Sequence, residues 1–149
     1  MAEGSIESLP GWVPTDVIRL GRALEPLNIM WLEDTVNGDY NPFVLADVYR
    51  DITMSTSTPI HTGEQIYLRH NFKELIERQA VNIVGPDPAD VGGLAELKWI
   101  AEYADLNGIL MAPDCSLISM ERWSRAIPCI SKRSIVHLRP MGTISTANA

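Results

Sequence analysis

Residues 81–114 read VNIVGPDPADVGGLAELKWIAEYADLNGILMAPD. A short apolar run at 81–84 leads into Gly85-Pro86-Asp87, and Gly92-Gly93 then precedes a helical stretch over 94–106. The apolar residues Leu94, Leu97, Ile100, Ala101 and Ala104 recur at helical spacing and mark the buried face of that helix. Asn107-Gly108 ends it, as residues that tolerate left-handed backbone do. A second apolar run at 109–112 then leads into Pro113-Asp114. Strand, helix and strand in succession, with turn residues between them, describe two parallel strands joined by a helical crossover.

The same unit repeats towards the N-terminus. Residues 14–25 predict a helix with Thr15 as cap, Asp16 in the first turn, Val17, Leu20 and Leu24 as its stripe, and Pro26 as its stop. An apolar strand at 29–32 then ends in Glu33-Asp34. After a polar loop containing Asn37-Gly38, Asn41-Pro42 opens a helix carrying Val44, Leu45, Val48 and Ile52. A strand at 59–62 ends in Gly63-Glu64. Asn71, with Glu74 three residues on, has the spacing of a capping box for a helix bearing Phe72, Leu75, Ile76 and Ala80. Short strands that are apolar throughout are covered on both faces. The pattern is therefore an α/β fold with a parallel sheet, either an open doubly wound sheet or part of a (β/α)8 barrel.

Composition narrows the function classes. The chain has 149 residues, 46% hydrophobic and 21% charged, which suits one globular domain rather than a disordered chain. No apolar run of about 18 residues occurs, so no membrane span is expected. The opening residues lack the basic and apolar regions of a signal peptide, and Cys115 and Cys129 are too few for a disulfide framework; a cytoplasmic protein is the expectation. The net charge of −7 argues against nucleic acid as a partner. The charge is uneven: residues 1–114 hold 7 basic and 18 acidic side chains, whereas residues 115–149 hold 5 basic and 1 acidic. Residues 115–149 also lack a helical stripe, although 135–138 has the pattern of a short strand. The expected layout is a remnant of a preceding strand and loop at 1–13, a partial barrel at 14–114 and an atypical, poorly ordered basic tail at 115–149.

Each of the four strands ends in an acid: Glu33, Glu64, Asp87 and Asp114, at intervals of 31, 23 and 27 residues. Parallel strands place all their C-terminal ends on one rim, where ligands bind in barrels and open sheets alike. Carboxylates brought together there repel one another unless a cation lies between them, and a hard divalent ion such as Mg²⁺ takes oxygen ligands.

In order along the chain stand Trp31-Leu32-Glu33-Asp34, then Thr58-Pro59-Ile60-His61-Thr62-Gly63-Glu64, then Pro86-Asp87 with Val91-Gly92-Gly93. This ordered set, over roughly residues 11–113, resembles the C-terminal barrel domain of the enolase superfamily, mandelate racemase/muconate-lactonizing subgroup. The resemblance implies a modified TIM barrel of which these are about strands four to seven. It implies Mg²⁺ held by acids at the ends of strands three, four and five: Glu33 and Glu64 match the latter two, and Glu7 lies near the place of the first. The shared chemistry is removal of the proton next to a carboxylate, with Mg²⁺ offsetting the charge that develops, leading to racemisation, cycloisomerisation or sugar-acid dehydration. Asp87 matches the acid of a His–Asp base dyad. The His position of that dyad reads Asp114, and no strand-two Lys base is present. These departures, with the tail after Pro113, lead to the expectation of a gene fragment, with a frameshift near residue 114. Half a barrel leaves open edges, so the expectation is self-association or a complementing chain. The alternative to an active enzyme is an inactive barrel fragment.

His61, beside the presumed metal strand, is a candidate base or substrate contact, weighed against a packed, hydrogen-bonded role. Trp31 and Trp99 read as packing residues, Arg69 and His70 as solvated, and Gly92-Gly93 as a tight turn rather than a phosphate cradle.

Overall fold

A computed structural model of the chain describes residues 6–7, 12–36 and 45–114. Five short strands form one parallel sheet in chain order: β1 (Ile6–Glu7), β2 (Leu32–Glu33), β3 (Ile60–Thr62), β4 (Ile83–Val84) and β5 (Leu110–Met111). Every pairing is parallel and sequential. Between them run four helices: α1 (Pro14–Leu24), α2 (Ala46–Thr53), α3 (Arg69–Glu77) and α4 (Leu94–Leu106). Strands that follow one another in sheet order, each pair joined by a helical crossover, give the arrangement of a barrel wall rather than that of a doubly wound sheet, in which the order reverses. The fold is a partial TIM-type barrel. Ahead of the four strands read at 29–112 stands β1, within the stretch expected to hold a remnant of a preceding strand.

The register explains the two faces. Glu7, Glu33, His61, Ile83 and Leu110 are aligned across the five strands. Side chains alternate along a strand, so the neighbouring positions Leu32, Ile60, Val84 and Met111 face the helices. All four are buried there with Val17, Tyr49, Ile52, Phe72, Leu75, Ile76, Leu97 and Ile100 in a single apolar core. Polar contacts fasten the layers: Thr58 Oγ1 donates to the Gly21 carbonyl (2.7 Å), and Thr53 Oγ1 donates to that of Ala80 (2.7 Å).

Several helix boundaries differ from the sequence expectations. Helix α1 starts at Pro14, with Val13 as its cap, so Thr15 lies inside the first turn. The α-helix ends at Leu24, ahead of Pro26 as expected, and Pro26 sits in a 3-10 turn, Glu25–Leu27, closed by Asn28 in left-handed conformation (φ 49°). Asn41-Pro42 and Cys115, Cys129 and residues 135–138 lie outside the described residues. The capping box expected at Asn71 and Glu74 does not form. Helix α3 begins two residues earlier, after Leu68 (φ 62°), and Asn71 Nδ2 donates to the Tyr67 carbonyl instead. Its first N–H, from Arg69, is satisfied by Glu96 Oε2 of helix α4 (2.8 Å). A cap supplied across the helix pair carries no local sequence signal.

Glu96 also takes the Arg69 guanidinium (2.6 Å to Nη2), and the guanidinium carbon lies 5.7 Å from the centre of the Trp99 ring. Arg69 is thus paired, not solvated. These hydrogen bonds hold the Glu96 carboxyl down at about 2, from an ordinary 4.5. A carboxyl depressed in the folded state stabilises above its unfolded pKa, and that contribution disappears as the pH falls from about 4.5 towards 2. A Glu96→Gln chain should therefore lose less of its melting temperature than the parent between pH 5 and pH 2.

Candidate active site

The C-terminal ends of the five strands form one rim. Glu33 ends β2, Glu64 follows β3 by two residues, and Asp87 and Asp114 each follow their strand by three. Glu7 ends β1 and pairs in register with Glu33. All the acids expected at the rim are thus on adjacent strand ends. Among the described residues no group of three His, Cys, Asp or Glu side chains stands close enough to hold a metal ion. The Glu7 side chain is not among those described.

The acids differ in their surroundings. Glu33 is held on both oxygens: Trp31 Nε1 donates to Oε2 (2.9 Å), and His61 Nδ1 stands 3.1 Å from Oε1. The His61 contact is close but lacks good hydrogen-bond alignment. Burial opposes ionisation of Glu33, but His61 and the Trp31 N–H outweigh it and bring the carboxyl below its usual range. Asp34 turns the other way, in left-handed conformation (φ 45°), and its Oδ1 accepts from the Thr62 hydroxyl (2.8 Å). That hydroxyl also lies 2.9 Å from the Tyr49 hydroxyl of α2, which ties the β3 end to the helix layer. Asp87 is buried, and its Oδ1 accepts from the Ala89 N–H (2.6 Å), closing the turn that runs to Gly92-Gly93. Both glycines have positive φ (102° and 98°), as a tight strand-to-helix turn requires. Glu64 and Asp114 are half-buried on the same rim.

His61 is almost wholly enclosed, with 1% of its surface exposed. Its ring stacks on Trp31, with centroids 5.1 Å apart and planes at 22°. Nε2 lies 3.0 Å from the Ala112 carbonyl beyond β5. Both polar neighbours, a carboxylate and a carbonyl, only accept, which favours a ring protonated on both nitrogens. Burial works against that charge, yet Glu33 and the Ala112 carbonyl raise the His61 pKa above its ordinary value. The ring crosses β4 where Gly85 leaves room: a Cβ at Gly85 would lie 2.2 Å from His61 Cε1 and Nε2. The packed, hydrogen-bonded state weighed for His61 is the one observed.

Sequence reasoning passed over Gly85 and Thr35. The Thr35 hydroxyl is buried two residues after Glu33, with no hydrogen-bond partner among the described residues. Neither carries a periodic or motif signal. A glycine following a strand reads as a turn, and only the structure shows the imidazole above it.

The sheet order agrees with comparison to known proteins. Residues 6–136 match the model of the family described as enolase C-terminal domain-like. The chain belongs to this family. This enolase-type chain is 40% identical over 94 residues to a D-xylonate dehydratase of Haloferax volcanii, covering 63% of the chain and 22% of that protein. It is 32% identical over 111 residues to RspA, a D-galactonate dehydratase family member of Cellvibrio japonicus, covering 72% of the chain and 26% of that protein. In structure it is similar to a mandelate racemase/muconate lactonizing enzyme-like protein from Rubrobacter xylanophilus, with a TM-score of 0.70 and 37% identity over 82% of the chain and 30% of that protein. It is also similar to L-talarate dehydratase from Polaromonas, solved with Mg and L-glucarate, with a TM-score of 0.68 and 25% identity over 75% of the chain and 30% of that protein. The enolase-type chain spans about a quarter of the length of the curated relatives it matches. These relatives are sugar-acid dehydratases, and the solved structures are superfamily barrels. No helix among the described residues is long and apolar enough to cross a membrane.

Proposed function

We propose that this chain carries the metal-binding part of a sugar-acid dehydratase centre. The observation that carries the reading is the rim itself: Glu7, Glu33 and Glu64 come from three adjacent parallel strands, and Glu33 is held on both oxygens. Oxygen donors of this kind suit a hard cation, and a ligating carboxylate characteristically carries hydrogen bonds of its own. Glu7, Glu33 and Glu64 would hold Mg²⁺. The ion would supply positive charge beside the substrate carboxylate and so acidify the neighbouring C–H.

The elimination requires a base for the α-proton and an acid for the departing β-hydroxyl. The C–H electron pair forms the new double bond, the hydroxyl leaves as water, and the resulting enol becomes a ketone. Asp87 and Asp114, on the next two strand ends, are the carboxylates proposed for this proton traffic. The substrate class is a small polyhydroxy carboxylate, as the names of the similar enzymes suggest.

A panel of sugar acids with Mg²⁺, read by trapping the keto product, tests this. Turnover that a Glu64→Gln chain loses by a hundredfold or more supports the reading. Turnover indifferent to both Mg²⁺ and Glu64 sinks it.

One observation favours a second reading. Among the described residues β1 and β5 each pair on one side only, so the wall is not closed. The alternative is a barrel fragment inactive by itself and completed by a second copy or a complementing chain. A sedimentation experiment separates the two: turnover confined to a dimer or a mixed complex favours this reading over an active monomer.

A further inference from the structure

We infer that His61 and Trp31 are positioning residues that fix the Glu33 carboxylate as a ready-made ligand for a divalent cation; the inference rests on the metal reading proposed above. Residues on or beside four strands, β2 to β5, contribute to the arrangement. Trp31 Nε1 donates to one Glu33 oxygen, and His61 Nδ1 faces the other at 3.1 Å. His61 is fixed in turn by the Ala112 carbonyl at its far nitrogen and by the Trp31 ring on its face. The gap at Gly85 sets where the imidazole lies, and burial leaves it no route to solvent.

A glutamate side chain is long and loses appreciable rotamer freedom when it is fixed. Here that ordering is already complete in the folded chain, so it is not charged against cation binding. In this arrangement His61 acts through Glu33 rather than as the base: its ring faces Glu33 at Nδ1, meets the Ala112 carbonyl at Nε2 and is buried beneath the rim.

Titrating the full 149-residue chain with MgCl₂ in a calorimeter tests the idea. Five proteins are needed: the parent, His61→Phe, His61→Gln, Trp31→Phe and Glu64→Gln. His61→Phe keeps a ring against Trp31 and removes both polar contacts. Trp31→Phe keeps the stack and removes one donor, and it decides the matter if His61→Phe does not fold. Far-UV circular dichroism confirms the fold of each. The expected result is Mg²⁺ affinity reduced about 10- to 100-fold in both positioning variants, as for other partners of metal ligands. A His61→Gln chain, whose amide retains a donor, should recover part of the loss. Folded variants that bind Mg²⁺ as tightly as the parent, or more tightly, overturn the inference and leave the pair a structural contact. A parent chain that takes up no Mg²⁺ overturns the metal reading itself, and the inference with it.

Discussion

A Gly85→Ala chain should melt about 10 °C below the parent. The added methyl would lie 2.2 Å from two atoms of the His61 ring and 3.0 Å from the Ala112 carbonyl oxygen. Neither neighbour is free to yield. The imidazole is confined between the Trp31 ring and β4, and the carbonyl belongs to the backbone beyond β5. Overpacking of this kind costs about 1–3 kcal/mol. Loss of the hydrogen bond between His61 and the Ala112 carbonyl adds about 0.5–1.5 kcal/mol. For a chain of this size each kcal/mol lowers the midpoint by about 2–4 °C. Because the cost arises from one contact, it should shrink when the contact is removed. A Gly85→Ala, His61→Ala double variant should lose less stability than the two single changes together. Strict additivity would mean that the ring is not where the structure places it.

Phe72→Ala should cost about 3–5 kcal/mol, the range for emptying a buried aromatic site. Phe72 is fully buried on α3 within the single apolar core. Its ring edge abuts the β3 turn: a Cβ at Gly63, which has φ 136°, would lie 2.8 Å from Phe72 Cε1. Gly63 adjoins Glu64, so the ring supports the backbone that carries a proposed metal ligand. In a urea titration the midpoint should fall sharply while the slope stays near that of the parent, since the same surface is exposed on unfolding. A change below about 1 kcal/mol would show that the core collapses around the site.

The contrast among the helices shows which parts of the fold were written locally. Helix α4 runs over 94–106 as its stripe and its Asn107-Gly108 ending predict, because both signals lie within the element. Helix α3 does not begin at its apparent capping box, because Glu96, 27 residues further on, caps it instead. The strands were located by apolar runs, yet β2 is paired at Leu32–Glu33 rather than across 29–32. Pairing depends on the neighbouring strands, which a local run does not encode. At the rim, the positions of the acids were legible because strand ends recur at regular intervals. The enclosure of Glu33 was only half legible. Trp31 and Glu33 are two residues apart and share a face, whereas His61, Gly85 and Ala112 meet them only once β3, β4 and β5 are side by side.

The central claim is that acids from successive strand ends form a divalent cation site, and a thermal melt tests it most directly. The chain is melted in EDTA and in Mg²⁺, with Glu64→Gln as the comparison. A cation bound only by the folded chain stabilises it by about 2.7 kcal/mol at a hundredfold excess over Kd. That corresponds to a rise of about 5–10 °C for a chain of this size. The account predicts such a rise in the parent and its loss in Glu64→Gln. Identical melts in EDTA and Mg²⁺ would contradict it.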